Sequence, residues 1–80
     1  MHMIPAQSSY TQLYQVPLDV LLDITRIILQ NNLPHRLMDI DQNKYALHVE
    51  ITLPDKYHQA GKNIEDILET YHRYRYGEEN

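Results

Sequence analysis

The stretch His35-Arg36-Leu37-Met38-Asp39-Ile40-Asp41-Gln42-Asn43-Lys44-Tyr45-Ala46-Leu47-His48-Val49-Glu50-Ile51-Thr52-Leu53 decides the fold. Its two ends alternate apolar and polar residues, the period of half-buried strands, and Asp41-Gln42-Asn43-Lys44 between them has turn chemistry. The alternation predicts strands over 35–41 and 44–53, joined as an antiparallel hairpin. A register with Asp41 opposite Lys44 puts Ile40 opposite Tyr45, Met38 opposite Leu47 and Arg36 opposite Val49. That face is mostly apolar and continues to Ile51. The other face then carries Asp39 opposite Ala46, Leu37 opposite His48 and His35 opposite Glu50. A slip of one residue would mix the two sets, so the pattern selects this register.

Before the hairpin, residues from Pro17 to about Asn31 read as a helix. Proline suits the first helical turn, where its missing N–H costs nothing, and Asp19 faces the positive end of the helix dipole. Asn31, Asn32 and Pro34 supply the stop, since asparagine tolerates the left-handed conformation and proline cannot continue a helix. One apolar stripe is Val20, Ile24, Ile27 and Ile28; another holds Leu18, Leu22 and Leu29, which leaves a narrow polar face of Asp19, Asp23, Arg26 and Gln30. A helix this apolar requires contacts on two sides, one with the hairpin and the other with the second helix or another subunit.

After the hairpin, Tyr57, Ala60, Ile64, Ile67, Leu68, Tyr71 and Tyr74 or Arg75 recur at three- and four-residue spacing, predicting a helix from about Asp55 to Tyr76. Gly61 weakens its first turns by about 1 kcal/mol relative to alanine, so a firm start is expected only after Lys62. Gly77 is a natural stop, and 78–80 form an acidic tail. At the other end, residues 1–15 read as a polar arm in which Ser9 and Gln12 suggest a capping box and a single helical turn. Met1-His2-Met3 reads as a remnant of expression, with Met3 as the native start.

The expected fold is therefore α+β, a single helix–hairpin–helix (αββα) domain over 16–77 with both helices on one face of the hairpin. A two-stranded sheet is rarely stable alone and both its edges are unpaired. Edge pairing between two copies, giving a four-stranded sheet in a homodimer, is the expected remedy.

The 80 residues hold no cysteine and no tryptophan, so this small core has no disulfide to reinforce it. Seven Lys and Arg against eleven Asp and Glu leave a net charge of −4, without the positive field expected of a nucleic-acid binder. No signal-peptide pattern and no bilayer-length apolar run stands out, and a cytoplasmic location is expected.

Chemistry-bearing residues are few. His35, His48 and Glu50 share a face of the expected hairpin with Asp39 nearby, a set that an open zinc site would use. The same spacing is what strand alternation gives a polar face. His58 and His72 are too far apart for one i, i+4 metal clamp. Asp19 and Asp23 lie one turn apart, as paired carboxylates would, and the helix dipole explains them equally well. Ser8 and Ser9 lack any nucleophile-elbow context. No catalytic residue, metal or cofactor is expected.

Tyr71, His72, Arg73, Tyr74, Arg75 and Tyr76 form the one distinctive local composition. Aromatics and guanidinium groups interleaved in this way suit a protein partner, or the stacked bases and phosphates of a nucleic acid. They also suit plain packing with basic residues at a helix C-terminus.

The stretches Gln15-Val16-Pro17-Leu18, Asn32-Leu33-Pro34-His35-Arg36, Asn63-Ile64-Glu65-Asp66-Ile67-Leu68 and Tyr74-Arg75-Tyr76-Gly77 resemble those of a family of small uncharacterised cyanobacterial α+β proteins, over most of residues 9–79. The resemblance implies a compact α+β domain and carries over no functional residue. The element order also resembles double-stranded-RNA-binding domains, which run helix, three strands, helix. One strand is missing, however, and the last helix begins with only Lys56 and Lys62 in place of a lysine cluster. The reading that follows is a non-enzymatic protein-binding module, regulator, adaptor or assembly factor, homodimeric, with Tyr71, Arg73, Tyr74, Arg75 and Tyr76 in contact. The alternative is a nucleic-acid-binding module that uses the same Tyr71–Tyr76 cluster.

Overall fold

A computed structural model of the chain describes residues 9–77, with side chains as far as Arg75. Strand β1 (Tyr10–Pro17) leads through a 3-10 turn (Leu18–Val20) into helix α1 (Leu21–Asn31). Strands β2 (His35–Asp41) and β3 (Ala46–Leu53) follow, then helix α2 (Gln59–His72) and a closing π turn (Arg73–Gly77). The fold is α+β, but the expected two-stranded αββα domain is overturned by a third strand at the start. The sheet has three strands in the order β1-β3-β2, so the four-stranded sheet expected for a dimer no longer applies.

Why β1 forms is visible in its own alternation. Tyr10, Gln12, Tyr14 and Val16 fall opposite Leu53, Ile51, Val49 and Leu47 in an antiparallel ladder. Tyr14 and Val16 are thereby buried, and β3 becomes a central strand with both edges paired. Burying this face outweighs the local helical signal of Ser9 and Gln12. Gln12 instead lies within the strand, its Oε1 accepting a hydrogen bond from the Tyr10 hydroxyl at 2.7 Å.

The hairpin register also differs from the expected one. Asp41 Oδ1 accepts hydrogen bonds from the N–H groups of Asn43 and Lys44, both at 3.1 Å, which holds 42–45 as a loop and takes Tyr45 out of the strand. Tyr45 adopts the left-handed region at φ 51°, and its carbonyl accepts the Leu18 N–H at 3.0 Å. Asp41 consequently pairs with Ala46, Ile40 with Leu47 and Asp39 with His48. A β-bulge between Leu37 and Asp39 then shifts the ladder, so that Leu37 meets Val49, Arg36 meets Glu50 and His35 meets Ile51.

Both helices pack on the face that carries Tyr14, Val16, Val49, Ile51 and Leu53, to which α1 adds Ile24 and Ile28 and α2 adds Ala60 and Ile64. The second stripe of α1 stays outside: Leu22 is 76% and Leu29 68% exposed. Helix α1 ends in a Schellman arrangement, with Asn32 left-handed at φ 51°, its N–H returning to Leu29 O at 3.4 Å and Leu33 N–H to Ile28 O at 3.0 Å. That wrap carries Leu33 into the core.

Helix α2 begins later than the apolar period suggests. Asp55 Oδ1 accepts the Tyr57 N–H at 2.7 Å in a tight turn, and His58 caps the helix, its Nδ1 accepting the Ala60 N–H at 3.1 Å. Gly61 lies inside the first turn without breaking it. A Cβ there would sit 2.8 Å from Leu53 Cδ1, so the bare backbone is what lets α2 approach β3.

Candidate functional site

The C-terminal tyrosine and arginine residues are divided between two tasks. Tyr71 donates its hydroxyl to Asp19 Oδ2 at 3.2 Å, and Arg75 Nη1 lies 3.6 Å from the same oxygen. The Arg75 guanidinium also stands over the Tyr71 ring, 5.8 Å from its centroid. Together they clamp the end of α2 to the turn before α1. Arg73 makes an i, i+4 pair with Glu69 at 2.9 Å, and its side chain is exposed. Phosphate contacts would have to compete with both carboxylates, which weighs against the nucleic-acid alternative. The Tyr76 side chain lies outside the described residues.

Tyr74 is different, with 86% of its surface exposed. It stands at the mouth of a cleft of about 360 Å³ between the helices, where Val20 and Ile67 are apolar, Tyr71 and Tyr74 aromatic, and Asp23 and Asp66 acidic. Asp23 also pairs with Arg26 at 3.2 Å, one turn along α1. Asp19 and Asp23 each hold a partner of their own at the start of α1, Tyr71 and Arg75 for the first and Arg26 for the second. Sequence spacing had no means of revealing the Asp19–Tyr71 contact, because it joins residues 52 positions apart in the chain.

A second surface lies along β2. This edge strand has no fully buried residue; Leu37, Met38 and Ile40 are 56%, 48% and 56% exposed. Beside it an apolar groove of about 170 Å³ runs under α1, bounded by Leu21, Thr25, Leu29, Leu37 and Leu47. A wider depression continues past Leu18, Ile40 and Tyr45.

The expected His35, His48, Glu50 set is separated by the observed register. His48 and Glu50 stand on the face away from the helices, where Arg36 pairs with Glu50 at 3.3 Å and Asp39 lies opposite His48. His35 lies opposite Ile51 on the helix side, its Nδ1 2.9 Å from Leu33 O. Among the described residues no group of three or more His, Cys, Asp or Glu side chains is placed to hold a metal ion. His58 is the α2 cap, and the His72 ring meets Tyr71 edge-on at 6.2 Å.

Inside the core, the Tyr14 hydroxyl is buried without a hydrogen-bond partner among the described residues. Burial raises its pKa to about 12, helped by the negative charge of Glu65 and by Tyr10. A phenol that holds its proton so firmly is no general base at neutral pH.

Comparison with protein-family models, with curated proteins and with solved structures found no match to this chain. The strand that completes the sheet precedes α1, so the order also departs from that of double-stranded-RNA-binding domains. No helix among the described residues is long and apolar enough to cross a membrane.

Proposed function

We propose that this chain is a non-enzymatic protein-binding module that works as a homodimer and takes its protein partner at the cleft between α1 and α2. Tyr74 is the observation that carries the reading, since a tyrosine 86% exposed beside an apolar cleft matches the aromatic anchors on which interfaces depend. Asp23 and Asp66 at the rim favour a basic side chain, with Val20 and Ile67 receiving its aliphatic stem. The preferred contact is thus a lysine-bearing segment of another protein. Arg73 stands on the neighbouring surface, while Tyr71 and Arg75 hold the cleft wall in place through Asp19.

The test is affinity capture of the tagged protein from its native host, washed with nuclease and high salt, alongside Tyr74→Ala and Asp66→Lys. The expected result is one protein at near-equal stoichiometry with the unaltered chain, lost with both variants although their circular dichroism is unchanged. Equal capture by the variants refutes this cleft as the site. Loss of all captured protein on nuclease treatment favours nucleic acid instead.

A further inference from the structure

Resting on the homodimer reading above, we propose that β2 is the seam between the two copies, pairing antiparallel with β2 of the second copy so that Leu37 faces its Ile40 and Arg36 faces its Asp41. The β-bulge at Met38 creates the complementarity. In an uninterrupted strand Leu37 and Ile40 would project to opposite faces, as would Arg36 and the two aspartates. With the bulge, Leu37 and Ile40 both join the helix side, opposite Val49 and Leu47. Arg36, Asp39 and Asp41 all join the other side, opposite Glu50, His48 and Ala46.

The strand thus starts basic and ends acidic on one face and is apolar on the other. Antiparallel pairing about a two-fold axis between Met38 and Asp39 uses each feature twice. Leu37 meets Ile40 on the helix side, and Arg36, which holds Glu50 of its own chain at 3.3 Å, stands opposite Asp41, whose Oδ1 holds the turn, with Asp39 on the diagonal. A second copy is the partner guaranteed to carry the complement, because an isologous contact matches a patch to itself. The edge is open for it: β2 is outermost in the sheet, and Leu37, Met38 and Ile40 are about half exposed at 56%, 48% and 56%. Pairing would join two three-stranded sheets into one of six strands and set the apolar grooves under α1 on either side of the seam.

Native mass spectrometry and light scattering at high micromolar concentration provide the test, on the unaltered chain, Asp39→Arg, Arg36→Asp and an equimolar mixture of the two variants. The unaltered chain is expected to be a dimer. Asp39→Arg places arginines diagonally at the seam and Arg36→Asp places carboxylates there, so each alone should weaken the dimer at least tenfold while circular dichroism shows a folded chain. Mixing them should restore association as a heterodimer. A dimer indifferent to both substitutions overturns β2 as the seam and leaves the homodimer standing. A monomeric unaltered chain overturns the homodimer reading itself.

Discussion

Replacing Gly61 with alanine sets two effects of similar size against each other. Alanine favours the helix interior by about 1 kcal/mol over glycine. Its Cβ, however, would sit 2.8 Å from Leu53 Cδ1, well inside the contact optimum of about 3.5–4.0 Å between carbons. Leu53 is 2% exposed and therefore has little room to retreat. Overpacking of this kind costs about 1–3 kcal/mol, so the net expectation is a loss of about 1 kcal/mol, a fall of about 4–8 °C in Tm for a domain of this size. Shortening the neighbour to valine removes the clashing methyl at a cost of about 1 kcal/mol for the lost methylene. In that Leu53→Val background Gly61→Ala should stabilise by about 1 kcal/mol, a coupling of about 2 kcal/mol across the double-mutant cycle. Urea midpoints at fixed protein concentration and unchanged m-value measure it. An alanine that raises the midpoint equally in both backgrounds would refute the idea that close approach of α2 to β3 is why glycine stands there.

Other perturbations have equally definite outcomes. Tyr45→Asn should stabilise by about 1 kcal/mol in chemical denaturation, because asparagine accepts the left-handed backbone at φ 51° and the ring it replaces is 73% exposed. Ile64→Ala should cost about 3 kcal/mol, since the side chain is wholly buried, whereas Leu22→Ala on the exposed stripe of α1 should change the midpoint by less than about 0.5 kcal/mol. The pKa of Tyr14 is raised to about 12 from an ordinary 10.0, so its folded form holds the proton more tightly than the unfolded chain does. Its contribution is complete below pH 10 and falls away as pH rises from 10 through 12; Tyr14→Phe should flatten that part of the stability–pH curve and lose little at neutral pH, where the hydroxyl has no partner.

Much of the architecture could be read from apolar spacing. The α1 stripe of Ile24 and Ile28, its Asn32 stop, the bounds of β2 and the α2 stripe through Ile64 all follow from patterns confined to one segment. What escaped depends on contacts between segments. The alternation of Tyr10, Gln12, Tyr14 and Val16 was present, but a polar composition and a local capping signal masked it until β3 supplied a partner. The register failed at two particular residues. Asp41 turned its side chain into the loop, which moved the register by two residues and left Asp39, Ile40 and Asp41 on their expected faces. Met38 bulged, so an argument from strict alternation sent His35, Arg36 and Leu37 to the wrong ones. At the cleft, the basic–aromatic composition was legible, whereas the exposure of Tyr74, which the apolar period places on the helix stripe, and the partition of its neighbours were not. Asp19 meets Tyr71 and Arg75 from a distant part of the sequence, and no short-range rule connects them.

The late partner of β1 has a consequence for how the chain acquires its structure. Tyr14 pairs with Val49 and Tyr10 with Leu53, so β1 waits for β3, with all of α1 and β2 made in between. Helix α1 and the β2–β3 hairpin need only neighbouring residues to form, while the β1–β3 ladder needs a long loop to close. Lengthening the connection between α1 and β2 should therefore slow refolding more visibly than it lowers equilibrium stability. During that interval the interior edge of β3 and the ring of Tyr14 are open to other chains, which makes refolding yield fall with protein concentration.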